Sequence, residues 1–121
     1  MGPMDEATQL ELVRRAITCG VTGCCLWDRR ADQRARSDRG LAGLDPEEIT
    51  GRLQVYVRAH PEAVRARQET REEYRGAYDF WFRVIVPVHE FRHGLFVELI
   101  LVDPDPELPV VWIVNAHEQR R

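Results

Sequence analysis

Apolar positions change their spacing once along this chain, and the change divides it in two. Leu10, Val13, Ala16 and Ile17 recur at three- and four-residue intervals, a helical stripe over residues 5–18 that Gly20 closes. Val21 to Trp27 is an apolar run too short for its period to separate strand from helix. Asp28 to Gly40 holds only Ala31 and Ala35 as apolar members and reads as a weak helix or an ordered loop. Asp45-Pro46-Glu47-Glu48 is the clearest local signal. Asp45 accepts from orphan amides, Pro46 takes the first helical position, and Glu48 can close a capping box. Ile49, Leu53, Tyr56 and Val57 then line one face to about Ala59. His60-Pro61-Glu62 reads as another start, with Val64, Gln68, Arg71 and Tyr74 on a poorly amphipathic helix ending near Gly76.

After Gly76 the period becomes two. Tyr78–Val88, Leu95–Asp103 and Val110–His117 are rich in Val, Ile, Phe and Trp, which suit a pleated surface. The three prolines of residues 104–109 exclude both helix and central strand there. The expectation is a single α+β domain over 1–121, with N-terminal helices packed on a C-terminal antiparallel meander of at least three strands. The helical part is 5–76 and the sheet 77–118, with 1–4 reading as a remnant of cloning.

A four-residue loop at 89–92 pairs Val88 with His93 and Arg83 with Glu98; a six-residue turn at 104–109 pairs Asp103 with Val110 and Glu98 with Asn115. Opposed residues share a face. One face then collects Phe80, Phe82, Val84, Val86, Val97, Leu99, Leu101, Trp112, Val114 and Ala116 against the helices. The other carries Trp81, Ile85, Phe96, Ile100, Val111 and Ile113, and among them Arg83, Glu98, Asn115 and His117.

Composition narrows the class. Hydrophobic content of 44% and charged content of 31% over 121 residues suit one globular core. No apolar run reaches bilayer length, and no signal-peptide layout opens the chain. Three cysteines, two of them adjacent, form neither a disulfide framework nor a zinc knuckle and point to a reducing cytoplasm. All 17 basic residues are Arg, each a planar fork for phosphate or carboxylate. The net charge of -3 gives no domain-wide positive excess. Arg residues concentrate in the first two-thirds, while residues 79–118 hold seven acids against Arg83 and Arg92.

His89-Glu90-Phe91-Arg92-His93 spells H-E-x-x-H, which on a helix would make a zinc-hydrolase site. Its setting argues for a hairpin instead: Pro87 forces an extended residue before it, and Leu95–Val102 beyond Gly94 lacks a polar helical face. No metal or cofactor is expected. Val111-Trp112-Ile113-Val114-Asn115-Ala116-His117, a closing strand after helices and a short antiparallel sheet, resembles the metal-independent ribonuclease toxins of the barnase, EndoU, colicin and RelE-like group. The resemblance covers the sheet and the preceding helix. It implies an endoribonuclease in which the RNA 2′-hydroxyl attacks, His117 and Glu98 move protons and Arg83 steadies the phosphorane. It further implies that Arg29, Arg34, Arg71 and Arg75 hold phosphates, that Trp81 or Tyr78 stacks a base, and that an antitoxin or immunity protein is a partner. The alternative is a non-enzymatic protein-binding or homodimerising domain that uses the second sheet face.

Overall fold

Each long helix begins at an aspartate. Asp5 accepts from the Thr8 amide at 2.7 Å, Asp28 from Ala31 at 3.2 Å and Asp45 from Glu48 at 2.8 Å. These caps open α1 (Glu6–Thr18), α2 (Arg29–Ser37) and α3 (Pro46–Ala59). The computed structural model describes residues 4–21, 23–74 and 76–120. The strands are β1 (Cys25–Trp27), β2 (Arg65–Gln68), β3 (Phe80–Val88), β4 (Phe91–Asp103) and β5 (Val110–Glu118). They form one sheet in the order β1-β5-β4-β3-β2, antiparallel except for β1, which runs parallel to β5. The class is α+β, with the long strands after the helices. Of the segment read as a cloning remnant, residues 1–3 lie outside the described residues, and Met4 packs against the core. No helix among the described residues is long and apolar enough to cross a membrane.

The core lies between one sheet face and the helices. Val13, Ala16 and Ile17 of α1 and Ile49, Leu53 and Val57 of α3 pack with Phe82, Val84, Val97 and Leu99, all essentially without solvent contact. Each such Val, Leu, Ile or Phe side chain contributes about 1.5–3 kcal/mol by burial.

The helix expected after His60 does not form. Pro61–Ala63 is a single 3-10 turn, Arg65–Gln68 is strand β2, and Glu72–Tyr74 is another 3-10 turn. The physical reason is what each conformation buries. As a helix, this stretch offers no apolar stripe. As a strand beside β3, it places Ala66 opposite Phe82 on the core side and sends Arg65 and Arg67 outward. Thus two of the five strands arise within 5–76, the part expected to be helical.

Register on the sheet follows the expected pairing with local departures. Arg83 faces Glu98, Glu98 faces Asn115, and Asp103 faces Val110, as the spacing predicts. Between the last two, bulges shift the ladder by one, so that Leu99 pairs with Ile113 and Leu101 with Val111. That slip reverses the faces of the first half of β5: Val111 and Ile113 enter the core, and Trp112, expected inside, stands 39% exposed. The β3–β4 hairpin is also tighter than a four-residue loop. Val88 pairs with Phe91 across a turn at His89 and Glu90, and the excess residues bulge in β4 before Leu95. Gly94 makes this possible at φ 91°, where a Cβ would lie 2.8 Å from the Val86 carbonyl oxygen.

Candidate functional site

The sheet face turned away from α1 and α3 is partly roofed by the β2–β3 connection. After β2, the Glu69 amide continues the ladder to the Asp79 carbonyl at 2.9 Å, and Arg71 of the connection reaches Trp81 of β3 and Glu98 of β4. Glu69 has a fully buried side chain, and its two oxygens accept from Arg71 Nε and Nη2, each at 2.8 Å. The remaining Arg71 nitrogen, Nη1, stands 2.6 Å from Oε2 of Glu98 in β4. One guanidinium therefore joins two buried carboxylates. It also lies over the rings of Tyr74 and Trp81, at 4.8 and 5.4 Å from their centroids.

Glu98 of β4 is buried, only 5% exposed, and its Oε2 receives no aligned hydrogen bond from any described group. The Arg71 contact is close but off the hydrogen-bonding direction, so it offsets part of the negative charge, which Glu69 shares, and leaves a lone pair open. Glu98 lines a cleft of about 350 Å³ together with Arg34, Arg71, Tyr74 and Asn115. Arg34 is held there by the β5 bulge, where its Nη2 donates to the Val114 carbonyl at 3.0 Å. Burial pushes the Tyr74 phenol up, an effect that Arg71 opposes, so Tyr74 retains its proton as a donor. Hydrogen bonds from Arg71 hold the Glu69 carboxyl below the usual range, and Glu69 in turn raises Arg71.

His117 is in register with Phe96 and stacks on it, ring centroids 4.7 Å apart and planes at 14°. Its Nδ1 lies 2.9 Å from the Glu118 carbonyl oxygen. A carbonyl can only accept, so Nδ1 donates and Nε2 is the nitrogen left for a ligand. His117 lines a hollow beside Asp38 and Gly40 rather than the cleft itself. Glu98 and His117 are nonetheless diagonal neighbours on one face, about 7–8 Å apart at the backbone.

Arg83 is opposite Glu98, yet no ion pair joins them; Arg71 has taken the carboxylate. Arg29 is exposed at the start of α2, away from the cleft lining. Trp81 has Arg71 over its ring and Phe96 at 6.3 Å, and Tyr78 stands edge-on to Tyr74 at 5.9 Å. Arg75 lies outside the described residues. The H-E-x-x-H string lies on the hairpin, with His89 and His93 exposed and Glu90 accepting from Arg52 of α3 at 2.6 and 2.9 Å. No cluster of three or more metal-binding side chains occurs among the described residues.

Sequence reasoning missed Tyr74 and the Glu69–Arg71 pair as parts of this cleft. The alternation Arg65-Ala66-Arg67 is compatible with a strand, but pairing with β3 is what makes it one and brings Arg71 of the following acid-x-Arg segment to Glu98. Comparison with protein-family models, curated proteins and solved structures finds no match to this chain in any of the three.

Proposed function

We propose that the Glu98 cleft cleaves RNA without a metal. The reading is carried by one observation: a buried carboxylate oxygen at a cleft wall, close to the Arg71 guanidinium, has no aligned hydrogen bond. Such an acceptor suits a substrate hydroxyl. Glu98 Oε2 takes the proton of the ribose 2′-hydroxyl as its oxygen bonds to phosphorus. The bond from phosphorus to the 5′-oxygen breaks, and that oxygen takes the Nε2 proton of His117 in its doubly protonated, imidazolium form, leaving a 2′,3′-cyclic phosphate and a neutral imidazole that keeps its Nδ1 proton on the Glu118 carbonyl. Arg34 and Arg71 face the phosphate, and Tyr74 donates to it. The three free thiols suit a reducing, cytoplasmic setting, and an antitoxin or immunity protein is the partner such an activity calls for.

Incubation of a short RNA with the protein in excess chelator tests this reading. Cleavage with cyclic-phosphate ends, lost in Glu98→Gln and in His117→Ala, supports it. No cleavage by the folded wild-type protein, or equal cleavage by either variant, overturns it.

A second reading has its own observation. Leu26 and Trp112 are cross-strand partners on β1 and β5, and both stand exposed, at 43% and 39%. Exposed large apolar side chains beside a three-residue edge strand suit a second copy of the chain. A monomer by light scattering at high concentration excludes that homodimer.

A further inference from the structure

The outer face of β2 and β3 carries a charge arrangement that the fold alone does not balance. Arg65 lies directly opposite Arg83, and Arg67 directly opposite Trp81, so all three guanidiniums project from the same side. Like charges in directly opposed positions destabilise a sheet. Neither Arg65, Arg67 nor Arg83 forms an ion pair among the described residues, whereas Arg36, Arg52 and Arg71 each do. The acid in register with Arg83 is Glu98, and Arg71 holds it. Arg83 Nε is buried without an acceptor, and Arg67 makes only a long 3.4 Å contact to the Ala66 carbonyl. Burial lowers the Arg83 pKa, and the charges of Arg67 and Arg65 lower it further, as expected for guanidiniums crowded together without a counter-ion. An arginine does not relieve this by losing its proton. An anion relieves it.

We propose that Arg65, Arg67 and Arg83 form a phosphate subsite for single-stranded RNA on the outer face of β2 and β3. Forked donors favour a tetrahedral group with several charged oxygens. The position favours a polymer. Strands lie about 4.8 Å apart, so Arg83 is one strand and Arg65 two strands from Glu98, a span that suits the phosphate next to the one being cleaved. The choice of RNA rests on the function proposed above; the choice of phosphate rests on the three arginines alone.

The test is fluorescence anisotropy with a labelled, uncleavable 2′-O-methyl RNA, measured across about 50 to 200 mM salt. The full chain is compared with an Arg65→Ala/Arg67→Ala double variant, both sites being exposed on an edge strand. The control is Arg14→Ala/Arg58→Ala, which removes the same charge from the helical side. The expected result is about tenfold weaker binding for the first variant. The slope of log affinity against log salt should also fall by about 0.7, the value for one phosphate contact on a single strand. The control should keep the wild-type slope. Equal losses in both variants, or no binding by the wild type, overturn the subsite. Normal arginine-dependent binding with no cleavage of ordinary RNA keeps the subsite and removes the catalytic reading. Cleavage with an unchanged KM in Arg65→Ala/Arg67→Ala does the reverse.

Discussion

Replacing Arg71 by alanine should be among the most damaging single changes in this domain. The substitution strands two carboxylates, Glu69 with no solvent exposure and Glu98 with 7% at the side chain, that share one guanidinium. Leaving a buried charge unpaired costs about 3–5 kcal/mol. About a third of the Arg71 side chain reaches solvent, and screening reduces the expected loss to about 2–4 kcal/mol. At about 4 °C per kcal/mol for a domain of this length, Tm should fall by about 8–16 °C. Arg71→Lys keeps the charge but not the fork and should recover only part of this. The pH dependence follows from Glu69, whose carboxyl is depressed in the folded state mainly by its hydrogen bonds from Arg71. A depressed carboxyl contributes stability above its unfolded pKa of about 4.3 and loses it as pH falls through the folded value. The gap between wild type and Arg71→Ala should therefore be widest near neutrality and narrow below about pH 4. Urea unfolding at pH 7 and pH 3.5 measures both. A loss below about 0.5 kcal/mol at pH 7 would refute the shared-guanidinium account, as would a gap that does not narrow in acid.

Other expectations probe separate parts of the structure. Gly94→Ala forces a Cβ to 2.8 Å from the Val86 carbonyl oxygen at a positive φ, and should cost about 2–3 kcal/mol in urea unfolding. The β5 bulge makes opposite demands of adjacent residues. Ile113→Ala should cost about 2–4 kcal/mol, while Trp112→Ser should cost less than about 1, a contrast that the unbulged register would invert. Cys19 and Cys24 have sulfurs 2.9 Å apart, with the Cys24 thiol pushed up to about 11 and the Cys19 thiol held below its usual range by the S–H of Cys24. Iodoacetamide should modify Cys19 at a lower pH than Cys24, and Cys24→Ala should move the Cys19 midpoint upward. Mass-resolved labelling across pH checks both.

Much of this fold was legible because its strongest signals are local. The Asp45-Pro46 cap and the Asp5–Gly20 stripe fix two helices from a few residues each, and period two with three prolines fixes the β4–β5 hairpin. What stayed hidden depends on long-range partners. Arg65–Gln68 has no intrinsic reason to be a strand until β3 offers an edge. The β5 bulge is invisible in Val110–Val114, where every residue is apolar and either face is acceptable. The candidate site divides the same way. Register alone places Glu98, Asn115, Arg83 and His117 on one face, yet it pairs Glu98 with Arg83. The structure gives Glu98 to Arg71, because the stretch after His60 forms β2 instead of a helix and brings Arg71 to it.

The proposed cleavage requires Glu98 Oε2 as the acceptor of a substrate hydroxyl, and a cleavage assay on a short RNA in chelator addresses this most directly. Wild-type protein should yield 2′,3′-cyclic phosphate ends, and Glu98→Gln, folded as judged by circular dichroism, should be at least about a hundredfold slower. A Glu98→Gln protein that cleaves at the wild-type rate, or a wild-type protein that leaves the RNA intact, would contradict it.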